Sequence, residues 1–201
     1  TPALAHGAVG NGRVLALISP SSSVDWLCLP RFDSASIFGR LVDSEAGGTF
    51  EFCPETGRVN GTQQYVRNTN VLITAFTTSP TGRSQGPPGS AAESEVSWEV
   101  VDFAPRIPQG LSVDAPIELI RLVRPRRGTP RIRIRFDPRP DYGRVTPALV
   151  ETSAGIDVQG GPSPFVLHTN APAPFVLEGH AFALEAPLWF VFRYGAPHTV
   201  P

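Results

Sequence analysis

Arginine supplies the densest concentration of potentially reactive chemistry in this chain. Nine of the 17 arginines fall between Arg121 and Arg144, against two acids there, Asp137 and Asp141. Within that block Arg131, Arg133 and Arg135 alternate with Ile132, Ile134 and Phe136. A strand places alternate side chains on opposite faces, so the spacing predicts a guanidinium face and an apolar face. Such a face suits a phosphate backbone, acids on a neighbouring strand, or a salt-bridged contact with another domain. A formal net charge of −1 and the lack of aromatics interleaved with these arginines argue against nucleic acid. Paired acids or a domain contact are the favoured readings.

Other reaction chemistries find little support. The histidines are His6, His168, His180 and His198, and none lies near a nucleophile motif such as G-x-S-x-G. No His, Cys, Asp or Glu pair has ligand spacing with a second pair downstream, so no metal is expected. Gly7-Ala8-Val9-Gly10-Asn11-Gly12 is glycine-rich, but it neither follows a strand nor opens a helix, which reads as a tight turn. The chain has no lysine, which excludes Schiff-base chemistry and a phosphate-loop lysine. Cys28 and Cys53 sit in apolar, strand-like contexts and read as buried free thiols. Glycoside hydrolysis needs two carboxyl groups roughly 5–9.5 Å apart, a geometry that spacing along a chain does not specify. No catalytic residue and no cofactor is assigned.

The elements that must position these groups are strands. The 201 residues include 22 prolines and 19 glycines, and 41% are hydrophobic, enough for a sizeable core without long helices. Apolar or alternating runs at 13–18, 24–29, 49–53, 63–66, 71–78, 95–103, 117–123 and 131–136 read as strands. Runs at 155–158, 165–168, 175–177, 181–184 and 188–194 continue the series. The first two runs flank Ser21-Ser22-Ser23 and predict a hairpin, while a helical turn is expected only at 34–41, after Asp33-Ser34. Residues 79–94 read as a long loop. About a dozen short strands bounded by turn residues predict an all-β sandwich or barrel. No stretch approaches the roughly 18 apolar residues of a membrane helix. No signal peptide is visible, a cytoplasmic location is the default, and the absence of methionine favours an excised piece.

One block carries a family resemblance. It runs Val9-Gly10-Asn11-Gly12-Arg13, then Asp25-Trp26-Leu27-Cys28-Leu29-Pro30-Arg31-Phe32-Asp33-Ser34, then Ile37-Phe38-Gly39 and Gly47-Gly48. Downstream come Tyr65 with Thr69-Asn70-Val71-Leu72, then Val100-Val101-Asp102-Phe103-Ala104-Pro105, then Asp141-Tyr142-Gly143. In order and content this resembles the N-terminal domain of bacterial glycoside hydrolase family 15 proteins, the glucoamylase-like and trehalase-like enzymes. The likeness covers roughly 6–195, with departures. The family's usual Asp-Gly-Ser hairpin turn reads Ser21-Ser22-Ser23, and Pro140 replaces the aromatic before Asp-Tyr-Gly.

The resemblance implies a large antiparallel super-β-sandwich as a single domain over 1–201, with 196–201 opening a linker to an (α/α)6 catalytic barrel. In that family the barrel carries the catalytic glutamates and hydrolyses α-glucosidic bonds by inversion, so no acid or base transfers to this chain. The implied role is to pack on the barrel, stabilise it and shape substrate access, with self-association through an exposed interface. Trp26, Arg31, Phe32, Asp33, Asn11 and Arg13 are the residues expected at the substrate entrance or domain interface. Aromatic rings there stack on sugar C–H faces or on a neighbouring helix, and Arg31 and Asp33 pair with each other or bind hydroxyls. Arg131, Arg133, Arg135, Tyr142 and Arg144 are the expected second part of the interface. A free-standing carbohydrate-binding module for α-glucan or trehalose is the alternative. A contact patch is expected around 26–38.

Overall fold

The computed structural model describes residues 5–78, 95–153 and 155–195; the expected loop at 79–94, His198 and the expected linker at 196–201 lie outside them. In chain order the strands begin β1 (Gly7–Gly10), β2 (Leu15–Ile18), β3 (Val24–Cys28), β4 (Ser36–Phe38), β5 (Thr49–Pro54) and β6 (Thr62–Tyr65). They continue β7 (Leu72–Thr78), β8 (Val96–Phe103), β9 (Ile107–Gln109), β10 (Ser112–Asp114), β11 (Glu118–Arg127) and β12 (Arg131–Asp137). The last are β13 (Ala148–Thr152), β14 (Gly155–Gln159), β15 (Phe165–Thr169), β16 (Phe182–Ala183) and β17 (Leu188–Tyr194); among the described residues there is one helix, α1 (Ala173–Leu177), before β16.

Every strand pairing is antiparallel. One large sheet has the order β13-β14-β15-β17-β11-β8-β7-β6. Facing it are the meander β1-β2-β3-β4 and a three-stranded sheet, β16-β12-β5; β9 and β10 form a separate hairpin. Alternation explains the layering. On β12, Ile132, Ile134 and Phe136 are buried while the three arginines stay exposed. Phe50 and Phe52 of β5 meet Phe190 of β17 at 5.8 and 5.0 Å between ring centres. Phe38 of β4 and Phe136 of β12 both lie 5.6 Å from Phe192. Interleaved rings from two sheets make the core of an all-β sandwich.

Three sequence expectations are corrected. Of the glycine-rich 7–12 run only the end turns: Gly7–Gly10 form β1, paired to β2, and the Asn11 amide donates to the Val14 carbonyl at 3.2 Å. Residues 34–41 form no helical turn: Ser36, Ile37 and Phe38 are buried and make β4, paired to β3. The Asp33-Ser34 signal serves a turn instead, with Ser34 N–H donating to the Arg31 carbonyl at 3.1 Å. The helix lies at α1, where 175–177 reads as strand from sequence. Pro172 and Pro174 fit a first helical turn, and Phe175 stacks on Phe182 at 4.3 Å. A short apolar run has no periodicity to separate the two states.

A buried cation ties the layers together. Arg121 sits on β11 between Leu119 and Val123, so it points inward, and it is fully buried. Its Nε donates to Asp102 Oδ1 at 2.7 Å, and its Nη1 and Nη2 donate to the carbonyls of Phe50 and Ser22 in the opposite layer. The guanidinium also lies 4.7 and 4.8 Å from the Phe50 and Phe52 ring centres. Burial raises the Asp102 pKa, and the Arg121 charge opposes that shift.

Candidate functional site

The family-like block folds into a corner at the end of the meander. Trp26 of β3 is half-buried and pairs opposite Leu17 on β2. After β3 the chain turns through a cis Leu29–Pro30 bond and exposes Arg31, Phe32 and Asp33. Phe32 is 65% exposed. Arg31 grips Asp33 with both arms, Nε to Oδ1 at 2.8 Å and Nη2 to Oδ2 at 3.0 Å, which holds the carboxyl below its ordinary pKa. That pair is solvent-facing, so it orients the corner more than it stabilises the fold.

A second loop completes the corner. The Arg139 and Tyr142 amides donate to the Ile37 and Ser36 carbonyls at 2.8 and 3.2 Å. Gly143 comes so close to Ala46 that an added Cβ would lie 2.9 Å from its carbonyl oxygen. Asp141 and Tyr142 both adopt left-handed backbone, φ 54° and 56°, although neither is glycine. Such strain clusters at contact and functional sites, and here it accompanies a Tyr142 ring that is 55% exposed. Leu41 and Val42 are also exposed, Val42 to 79%. Their loop is pinned, because the Leu41 amide donates to the Asp25 carbonyl at 2.9 Å and the Asp43 carboxylate accepts from the Glu45 and Ala46 amides. The expected patch at 26–38 therefore narrows to 31–33, extends to Leu41 and Val42, and takes in Tyr142; residues 36–38 are core.

Behind the corner lies a polar network. His6 Nε2 is 2.9 Å from Asp25 Oδ2, Ser23 Oγ donates to Asp25 Oδ1, and Ser23 Oγ meets Thr49 Oγ1 at 2.5 Å. Arg40 Nη1 reaches Glu51 Oε2 at 3.3 Å, and the Glu51 side chain is 2% exposed. Here Asp25 takes both other groups, whereas a hydrolytic triad needs the histidine against the serine. Among the described residues no three His, Cys, Asp or Glu side chains converge as metal ligands.

The other expected residues separate. Asn11 is 2% exposed and all of its amide is used: Nδ2 donates to the Pro105 and Pro116 carbonyls, and Oδ1 accepts from the Arg13 and Val14 amides. It locks the β1–β2 turn against the 105–116 segment and offers nothing to a ligand. Arg13 is exposed beside it, with Nη1 at 3.5 Å from the Ala115 carbonyl. Arg131 pairs with Glu55 through two bonds of 2.7 and 3.1 Å and keeps that carboxyl below its ordinary pKa. Arg133 and Arg135 stand opposite Cys53 and Glu51 in the ladder and have no ion pair among the described residues. Arg144 lies 5.8 Å from the Tyr142 ring centre and 3.4 Å from Asp141. Cys28 and Cys53 are free thiols, and burial pushes both up in pKa. Sequence reasoning missed Arg121, Asp102 and the His6–Asp25 pair.

A family profile described as "Trehalase-like, N-terminal" matches residues 2–80 and 96–176, most of the chain and both loops of the corner. The chain belongs to the trehalase-like N-terminal family. It is similar to a trehalase of Thermoplasma volcanium, 28% identical over 200 residues, covering 96% of this chain and 29% of that protein. A trehalase of Mycolicibacterium smegmatis is 30% identical over 154 residues, covering 72% of this chain and 21% of its own length. Trehalase 1 of Sulfolobus acidocaldarius is 42% identical over 73 residues. This trehalase-like N-terminal chain thus spans under a third of the curated relatives it matches. No solved structure matches it.

Proposed function

We propose that this trehalase-like N-terminal chain is the non-catalytic β-sandwich of a glycoside hydrolase family 15 protein of trehalase or glucoamylase type. Residues 6–195 act as one domain that packs on a helical catalytic barrel, stabilises it and shapes the approach of an α-glucosidic substrate. The corner at Phe32, Val42 and Tyr142 carries this reading. Large side chains held outward on loops tied by backbone hydrogen bonds and left-handed residues form a pre-organised contact surface. The buried carboxylates fit the non-catalytic role, because Asp102, Glu99 and Glu51 are each committed to an arginine of the same fold.

The test is a chimera in which this chain replaces the matching segment of the Thermoplasma volcanium trehalase. Trehalose hydrolysis is expected to survive, and to fall when Phe32 and Val42 are both changed to serine. Equal activity with and without the two changes would contradict a role for the corner.

A further inference from the structure

The three tryptophans have different fates. Trp98 is buried and stacked on Phe76 at 5.0 Å, and Trp26 is half-buried within the meander. Trp189 is 41% exposed. Alternation on β17 sends Phe190 and Phe192 into the core and turns Trp189 to the outer face of the large sheet. This is the layer opposite the one that carries Arg31–Asp33.

Trp189 lines a cleft of about 320 Å³ together with Glu151, Ile156, His168 and Thr169. That volume lies at the lower end of the roughly 300–1,000 Å³ that small-ligand sites occupy, suited to a mono- or disaccharide. The backbone beneath the indole is fixed. The Trp189 amide donates to Asn170 Oδ1 at 2.8 Å, Thr169 Oγ1 donates to the Trp189 carbonyl at 2.7 Å, and Asn170 Nδ2 donates to the Pro187 carbonyl at 3.3 Å. Among the described residues no ring stacks on the indole, and the exposed Glu151 carboxylate has no ion pair. An open aromatic face beside an exposed carboxylate acceptor is a complementary surface for a sugar, with C–H groups on the ring and hydroxyls on the carboxylate.

We propose that the Trp189 cleft is a surface site for a glucose-containing mono- or disaccharide, separate from the contact corner. The choice of a glucose sugar rests on the functional reading above; the cleft itself does not. Trp189 is the stacking platform, and the exposed Glu151 carboxylate orients the hydroxyls.

Calorimetry and amide NMR on the 201-residue chain, titrated with trehalose, maltose and glucose, test this directly. At least one sugar should saturate a site, with shifts centred on Glu151, His168, Thr169 and Trp189. Trp189→Ala should weaken binding about tenfold or more, a loss of about 1.4 kcal/mol. Trp189→Phe keeps an aromatic face and should retain most of the affinity, which separates loss of the platform from loss of the fold. Trp26→Ala should leave binding unchanged. The proposal is overturned by the absence of saturable shifts up to about 100 mM sugar, far past a millimolar site. Equal binding by Trp189→Ala, shifts confined to the 31–33 corner, or binding of tetramethylammonium in place of sugars would overturn it too. The chimera assay is independent of these results, so failure of the sugar site and failure of the domain assignment are told apart.

Discussion

Arg121 shows what a single residue does in this sandwich. It brings a full charge into the core, yet every direction it offers is met: Asp102 in its own layer, two carbonyls in the other, and two aromatic faces. Removing one member of a buried pair leaves the other uncompensated. Arg121→Met is therefore expected to lower unfolding stability by about 3–5 kcal/mol in denaturant titration, and a second change, Asp102→Leu, to recover much of that. Full stability in the single variant would contradict the tie between layers. Asp43 makes a gentler case. Its carboxylate accepts the Ala46 and Glu45 amides, which holds its pKa below the ordinary value. Its contribution is present above the unfolded-state pKa, about 3.9, and is lost as pH falls through the lower folded value. An NMR titration of Asp43 should show a midpoint below that of a free aspartate, and a midpoint at or above it would contradict the loop geometry. In the sequence Arg121 alternates with Leu119 and Val123, and nothing in that run marks an arginine as a core residue. Its meaning depends on Asp102, Phe50 and Ser22, which are remote in sequence and meet it only through the sandwich.

At the scale of elements, hairpins were the most legible features and short segments the least. The 13–18 and 24–29 runs form β2 and β3, and the arginine alternation of β12 reads directly onto its two faces. By contrast β4 and α1 were exchanged in type, because a few residues of buried apolar chain carry no period. The turn between β2 and β3 shows how chemistry replaces a missing glycine. Ser22 holds a left-handed backbone, φ 65°, where glycine is the natural choice. Its Oγ compensates, donating to the Phe52 carbonyl and accepting the Phe52 amide, both at 3.1 Å. Ser22→Ala removes both bonds inside the protein and is expected to cost about 1–3 kcal/mol, measurable as a lowered denaturation midpoint. No change in that midpoint would show the turn to be held by its backbone alone.

At the scale of the whole molecule the two layers serve different ends. Their facing surfaces share one aromatic core, while the corner of the smaller layer carries apolar side chains that the fold itself does not need. Phe32→Ser and Val42→Ser should each leave the stability of the chain within about 0.5 kcal/mol, because both side chains are mostly in solvent. A larger loss would make the corner part of the fold, not a surface for a partner. The motif string around Trp26 and Arg31 pointed to this region from sequence. Which of its residues face outward was not legible there, since exposure depends on the 139–144 loop docking against β4.

The most direct measurement is glucose release from trehalose by the purified 201-residue chain, beside the same assay on its chimera with the remainder of the Thermoplasma volcanium trehalase. No release is expected from the chain alone, and release is expected from the chimera, reduced by the paired Phe32 and Val42 changes. Glucose released by the chain alone would contradict it.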